Sequence, residues 1–208
     1  EIEEILLNKF PLISIHIQKQ FPNALFITIE EKISTLIYDD GKSYSSIDLS
    51  GEIIEPLQKV GEYEWTIITE TVTSTDPETG EIIEDTIEID RYHTPDFENL
   101  RAEVGDYPLV YDSVPTESEQ KISEDTLRDI IHWYYFFDRD LGLKLDYVEM
   151  GESPYHGKLY SSAGWYAEVS FVESAESQQQ IIQQVLSAQI AGQPFQYIDD
   201  RFFKKTKK

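Results

Sequence analysis

Alternation of apolar and polar residues near the start of the chain constrains the fold more than any other feature of the sequence. Apolar residues take every second position across residues 13–17 and again across 25–29, and an aromatic-proline turn at 21–24 separates the two runs. This spacing predicts two half-buried strands joined as an antiparallel hairpin. Strand and helix patterns are segregated along the rest of the chain, so we predict the α+β class.

Two later segments carry apolar residues at helical spacing. Ser123 is a favourable N-cap, acidic residues follow it at the positive end of the helix, and the spacing continues to Gly142. The second helix is predicted to begin near Ser174 or Ser177, the latter being followed by glutamines as in a capping box, and to end at Gly192. Two amphipathic helices are therefore expected.

Shorter elements fill the remaining parts of the chain. A helix over residues 1–10 is ended by Pro11, because proline cannot continue a helix. Strands are predicted at residues 36–38, 43–49, 143–147, 165–171 and 195–203.

An acidic segment in the middle of the chain is predicted to form a long β-ribbon. Residues 65–75 and 81–89 are rich in threonine, valine and isoleucine, and a turn-forming segment at 76–80 separates them. Residues 62–98 contain twelve acidic residues and one arginine. If these residues form a two-stranded ribbon, charged side chains lie on both of its faces, which predicts a ribbon that projects into solvent. It is either an additional partner surface or a device that keeps the protein soluble.

The composition excludes several classes of function. The 208 residues include 40 acidic and 17 basic ones, and the net charge of −23 repels nucleic acid and anionic lipid headgroups. The absence of cysteine removes disulfides, thiolate nucleophiles and cysteine-bound zinc. The longest nearly unbroken apolar run, at 130–137, is far shorter than the roughly 20 residues that a membrane-spanning helix needs.

No catalytic or metal-binding motif is present in the sequence. The four histidines lack metal-binding spacing, and neither a nucleophile elbow nor a phosphate-binding glycine loop occurs. Residues 76–81 lack the order of a calcium loop, and the aromatic run at 133–137 has the spacing of a packed helix face. We expect no enzyme activity, no metal and no cofactor, although two carboxylates brought together in space could still cleave a glycoside.

Two stretches carry a more specific pattern. A helix ended by Pro11 is followed by a strand, a Phe-Pro-Asn turn at 21–23 and a strand closing on Glu31, and residues 43–54 form an aromatic and aliphatic strand with Asp then Gly. Residues 196–202, Gln-Tyr-Ile-Asp-Asp-Arg-Phe, follow an amphipathic helix. In this order they resemble the second half of the POTRA domain, the start of the β domain and the terminal strand of the bacterial cell-division family FtsQ, called DivIB in Gram-positive bacteria.

The resemblance implies a domain organisation and a location. Residues 1–40 would be a partial POTRA domain, and residues 41–208 an FtsQ-like, mainly antiparallel β domain with the acidic ribbon inserted at about 62–100. The family's first POTRA strand and helix, one membrane helix and a short cytoplasmic tail would precede this sequence. The fragment would be the extracytoplasmic part of a single-pass cell-membrane protein at the division septum.

The resemblance also implies a function without catalysis. Proteins similar to FtsQ hold the small coiled-coil membrane proteins FtsB and FtsL in the divisome and help to control septal peptidoglycan synthesis by FtsW and FtsI. The family uses its last strand for this, since an edge strand accepts a partner strand through its unpaired backbone groups. Two departures are the length of the ribbon and Asp200, which takes a position that is usually apolar.

Five residues at the end of the chain are the partner site that the resemblance implies: Tyr197, Arg201, Phe202, Lys204 and Lys205. Arg201 would pair with an acidic residue of the incoming chain, and Phe202 would be its apolar anchor. The two lysines would extend the pairing edge. The alternative is that Tyr197, Phe202 and Phe203 close the core and that the lysines form a solvated end.

Two other functions stay open. A secreted or surface enzyme could act on carbohydrate through paired carboxylates, with aromatic side chains as sugar platforms. A POTRA-type module of an outer-membrane assembly system would carry tandem copies of the helix-hairpin unit, whereas one copy is seen here. Carboxylates with raised pKa values in a cleft would favour the enzyme, and an exposed C-terminal edge strand would favour the scaffold.

Overall fold

The described strands form an eight-stranded sheet and two separate two-stranded hairpins. The computed structural model describes residues 2–10, 12–75, 82–188 and 197–199. The helices are α1 (Ile2–Lys9), α2 (Phe97–Val104), α3 (Glu124–Phe136), which continues as a π-helical turn at Phe137–Leu141, and α4 (Ala175–Ala188), with a 3-10 turn at Glu62–Glu64. The strands are β1 (Leu12–Gln20), β2 (Ala24–Glu31), β3 (Leu36–Asp39), β4 (Ser43–Ile47), β5 (Ile53–Lys59), β6 (Trp65–Thr75), β7 (Ile82–His93), β8 (Leu109–Asp112), β9 (Leu145–Met150), β10 (His156–Ser161), β11 (Tyr166–Ser170) and β12 (Tyr197–Asp199).

The large sheet has the strand order β12-β11-β10-β9-β8-β3-β4-β5. Four neighbouring pairs are antiparallel, while β3–β8, β8–β9 and β11–β12 are parallel. The hairpins β1–β2 and β6–β7 are antiparallel as well. Helices therefore combine with mostly antiparallel strands, which confirms the predicted α+β class.

The core lies on both faces of the large sheet. Leu36 and Tyr38 of β3 belong to the larger cluster, in which Trp133 of α3 and Ile182 of α4 are fully buried. Ile37, between them in β3, belongs to a smaller cluster that receives Leu100 of α2. Successive side chains of a strand face opposite ways, so α3 and α4 cover one face and α2 covers part of the other.

Local hydrogen bonds explain where the helices begin. The hydroxyl of Ser123 accepts a hydrogen bond from the backbone N–H of Thr126 at 3.2 Å, as the predicted N-cap requires. At the start of α4, the hydroxyl of Ser174 accepts a hydrogen bond of 3.4 Å from the N–H of Ser177. Of the two predicted starts, the one near Ser174 is therefore confirmed and the one at Ser177 is wrong. The predicted end at Gly192 lies outside the described residues.

Four elements are absent from the sequence-based prediction: β5, β8, β10 and α2. The strand β8 is almost entirely buried, so its sequence Leu-Val-Tyr-Asp shows no alternation. In β10, Gly157 interrupts the pattern because the ring of Phe171 occupies its space; a Cβ there would lie 2.7 Å from Phe171 Cζ. The helix α2 begins inside the segment 62–100 that was assigned to the ribbon, and the ribbon ends earlier, at His93.

The first hairpin is more exposed than its alternation predicts. Ile15 of β1 is buried, but every side chain of β2 is exposed, so the expectation of two half-buried strands is wrong for β2. The helix α1 packs against β1 and leaves β2 uncovered.

The proposed boundary between a partial POTRA domain and a β domain near residue 40 stays a prediction.

The acidic ribbon is confirmed as β6 and β7, which pair along their whole length. Its described side chains are exposed on both faces from Thr66 to Ser74 and from Ile82 to Tyr92. The turn at 76–81, where a charged tip was predicted instead of a calcium loop, lies outside the described residues.

Within the part of the chain that is described, no helix combines the length and apolar character needed to cross a membrane.

Candidate partner-binding edge

The last of the described strands, β12, lies at one end of the strand order of the large sheet. It pairs in parallel with β11, with Tyr197 opposite Tyr166 and Ile198 opposite Ala167. Ile198 is buried in the larger core cluster, while Tyr197 stays 55% exposed on the other face. The backbone pairing with β11 and the buried side chain of Ile198 hold the strand to the large sheet, and its outer edge faces away from β11.

One of the five predicted site residues, Tyr197, lies within the described residues, where its side chain is exposed on the face opposite to Ile198. Its role in partner binding stays a prediction. The other four, Arg201, Phe202, Lys204 and Lys205, lie outside the described residues, and their roles stay predictions.

Tyr197 is the outermost member of a row of four tyrosines that crosses β9 to β12, which we call the tyrosine row. Ring centroids are 4.4 Å apart for Tyr147 and Tyr160, 5.3 Å for Tyr160 and Tyr166, and 5.5 Å for Tyr166 and Tyr197. The strand registers produce this row, since each tyrosine stands directly opposite the next. Cross-strand aromatic pairs of this kind stabilise a sheet by about 0.2–1 kcal/mol each.

A second row of polar side chains runs beside the tyrosines. The ammonium of Lys158 lies 3.0 Å from one carboxylate oxygen of Glu149, and the Tyr160 hydroxyl donates a hydrogen bond of 2.7 Å to the other. At the edge, Glu168 of β11 stands opposite Asp199 of β12. The exposed face of these four strands therefore carries an aromatic row and a charged row side by side.

Burial favours the neutral form of two hydroxyl groups in the tyrosine row, those of Tyr147 and Tyr160. Burial raises the pKa of Tyr160, and its hydrogen bond to the Glu149 carboxylate raises that pKa further. Burial is also the main cause that raises the pKa of Tyr147. Tyr147 and Tyr160, which stack with ring centroids 4.4 Å apart, therefore meet without charge repulsion.

A buried group of polar side chains, which we call the buried clamp, joins the base of the ribbon to the large sheet. His93 Nε2 lies 2.6 Å from Asp39 Oδ2, and both side chains are fully buried. The Glu64 carboxylate accepts hydrogen bonds from the Tyr44 hydroxyl and from the N–H of Asp96. The indole of Trp65 packs on the His93 ring, with centroids 4.8 Å apart.

The buried clamp has acid-base groups but no access for a substrate. Burial raises the pKa of Asp39, and hydrogen bonds from His93 and from the Gly41 N–H act in the opposite direction. An Asp-His pair can activate a nucleophile, but only where the imidazole reaches a reacting group. With both side chains sealed, the clamp is suited to fixing the ribbon.

A polar depression beside α2 is the other place where carboxylates gather. Glu98, Asp106 and Asp146 line it together with Arg101, whose Nε lies 3.0 Å from Asp106 Oδ1. Burial raises the pKa of Asp146, while the charge of Arg101 lowers it. This is the cleft that would matter for the carbohydrate-acting alternative.

Three of the five aromatic residues considered as a sugar platform are used in packing. Trp133, Phe136 and Phe137 of the aromatic run are buried, which agrees with the predicted packing role. No group of three or more histidine and acidic side chains in the described ranges is arranged to hold a metal ion. The tyrosine row escaped prediction because it depends on the registers of four strands.

Comparison with known proteins leaves the family open. The sequence matches none of the protein-family models against which it was compared, and a search of curated proteins finds no related chain.

Proposed function

We propose that the protein is a non-catalytic scaffold of bacterial cell division, of the FtsQ and DivIB kind. In this proposal it binds small coiled-coil membrane proteins similar to FtsB and FtsL and helps to control septal peptidoglycan synthesis. The observation that carries the proposal is the position of β12, which pairs with β11 and, among the described residues, lies last in the strand order. A terminal edge strand of this kind is what strand addition requires.

The side chains around β12 support strand addition as the mode of binding. Tyr197 ends the tyrosine row with more than half of its surface exposed, so an aromatic side chain of an incoming strand could stack on it. Ile198 ties the strand to the core, so the edge is in place before the partner arrives. The sequence resemblance adds Arg201 and Phe202 as the charge partner and the apolar anchor.

The proposed location follows from the same resemblance. We infer that this fragment lies on the extracytoplasmic side of the cell membrane, at the septum, and belongs to a single-pass protein. No nucleic acid takes part, because the net charge of −23 repels polyanions.

Calorimetric titration with the membrane-proximal extracytoplasmic segment of the host's FtsB-like protein tests the proposal. We expect binding that Phe202→Glu abolishes and that Tyr197→Ser weakens by about threefold to tenfold, the loss of one aromatic contact. Tyr155→Ser is the matched control, since Tyr155 is 60% exposed but lies outside the tyrosine row. A segment N-methylated at alternate backbone positions should not bind, because it cannot form the strand pairing.

The results separate the parts of the proposal. Absence of binding by the folded chain would withdraw the partner assignment. Equal binding by the N-methylated segment would refute strand addition, and equal weakening by Tyr155→Ser would refute the role of Tyr197.

A carbohydrate-acting enzyme is the second candidate, favoured by Asp146 in its polar depression. An enzyme of this class uses one protonated and one ionised carboxyl group, and burial raises the pKa of Asp146 in the required direction. Release of reducing sugar from peptidoglycan or other glycans, lost in Asp146→Asn and kept in Asp129→Asn, would support it. Asp129 is the control because burial raises its pKa as well, on α3 and outside the depression.

A further inference from the structure

The acidic ribbon has two chemically different faces. Cross-strand partners share a face, and so do alternate residues of one strand. One face, which we call the checkerboard face, pairs Ile68 with Asp90, Glu70 with Ile87, Val72 with Asp85, and Ser74 with Ile83. The other face carries mainly threonine and glutamate, with Ile67 beside Arg91 near the base and Ile82 beside Thr75 near the tip.

Apolar side chains form a continuous zigzag on the checkerboard face. Ile68, Ile87, Val72 and Ile83 alternate between the two strands, so each is the diagonal neighbour of the next. Each of these side chains is between 39% and 45% exposed. Four β-branched side chains in one uncovered stripe are more than a solubilising ribbon needs, because such a ribbon would carry polar residues on both faces.

Charge complementarity defines what could cover this stripe. Glu70, Asp85 and Asp90 flank the zigzag, and the checkerboard face has no basic residue among its described positions. The basic residue of the described ribbon, Arg91, lies on the other face, where its guanidinium pairs with Glu88 at 2.9 Å. A second copy of this chain would place like charges against each other, and an anionic membrane would be repelled.

The ribbon is also held in place before any partner binds. At its base, His93 is tied to Asp39 of the large sheet, and Trp65 packs on His93 and over Gly41. A fixed arm loses less conformational entropy on binding than a free one.

We propose that the checkerboard face is a docking surface for a partner protein that presents aliphatic side chains flanked by lysine or arginine. The contact is side-chain packing of one sheet face on another surface, with the three carboxylates facing the cations. It is independent of the proposed role of β12 and would stand if that role were refuted.

Nuclear magnetic resonance titration of the whole chain with a designed probe tests the proposal. The probe is a disulfide-closed hairpin peptide whose one face carries valine and lysine in a checkerboard. Two matched hairpins serve as controls, one with serine in place of valine and one with glutamate in place of lysine. We expect the valine-lysine hairpin alone to shift the amide signals of β6 and β7, with affinity that falls as salt is raised from about 0.05 M to about 0.5 M.

Substitutions on the two faces distinguish the docking surface from general attraction. Ile68→Thr with Ile87→Thr should weaken binding by at least about tenfold, because aliphatic burial is lost while charge and strand propensity are kept. Ile67→Thr with Ile82→Thr, on the other face, should leave it within about twofold. Equal binding of the serine-lysine hairpin, equal effects of the two double variants, or no binding of the valine-lysine hairpin would each overturn the proposal.

Discussion

Removal of the His93 imidazole should destabilise the protein far more than removal of a histidine from an exposed His-Asp pair would. The two side chains are fully buried and 2.6 Å apart. In His93→Ala the Asp39 carboxylate keeps its hydrogen bond from the Gly41 N–H but loses its charge-stabilising neighbour. Breaking a buried pair in this way costs about 3–5 kcal/mol, a large part of the roughly 5–15 kcal/mol that stabilises a typical domain.

Urea denaturation followed by circular dichroism measures this cost. His132→Ala is the matched control, since His132 is 60% exposed and lies 3.9 Å from Glu176; its removal should change the free energy of unfolding by less than about 1 kcal/mol. Asp39→Ala combined with His93→Ala should cost less than the sum of the two single variants, because the second change removes the isolated charge. Losses that are equal for His93→Ala and His132→Ala, or strictly additive at the clamp, would refute the reasoning.

Two further predictions concern ionisation and backbone strain. Burial raises the pKa of Tyr111 and of Tyr134 to about 12 in the folded chain, so the stability they contribute is complete below the unfolded pKa of about 10 and is lost as pH rises toward 12. The free energy of unfolding should therefore fall less between about pH 10 and about pH 12 in the double variant Tyr111→Phe with Tyr134→Phe, and an equal fall in both chains would contradict this. Gly51→Ala should be strongly destabilising because φ is +81° and the added Cβ would lie 1.8 Å from the Ile122 carbonyl oxygen. Gly164→Ala is the control, since its φ is +82° but nothing lies within 4 Å of the added Cβ, and it should cost only about 1 kcal/mol of strain. Equal midpoints of thermal unfolding for the two variants would show that the contact with Ile122 is not tight.

Elements that depend on neighbouring residues could be predicted from the sequence. The helix after Ser123 and the ribbon strands β6 and β7 occur where capping, helical spacing and strand-forming composition indicate them. These features act within a few residues of the chain.

Features that depend on distant parts of the chain escaped prediction. β8 pairs in parallel with β3 and β9 and is buried, so its apolar residues show no period. The tyrosine row requires Tyr147, Tyr160, Tyr166 and Tyr197 to meet in register across four strands, and no local pattern encodes that register. The two faces of the ribbon likewise depend on the bulge between Ile68 and Thr69.

The base of the ribbon is anchored far from β12 in the large sheet. Five steps in the strand order separate β12 from β3, where Asp39 anchors the ribbon, and at roughly 4.8 Å a step this is about 24 Å. A scaffold that holds two partners needs such a separation, because overlapping sites would make the partners compete. If both surfaces are used, the affinity of the valine-lysine hairpin should stay within about twofold when β12 is saturated with the FtsB-like segment. Competition between the two ligands would instead show that they share one surface, and one of the two assignments would have to be withdrawn.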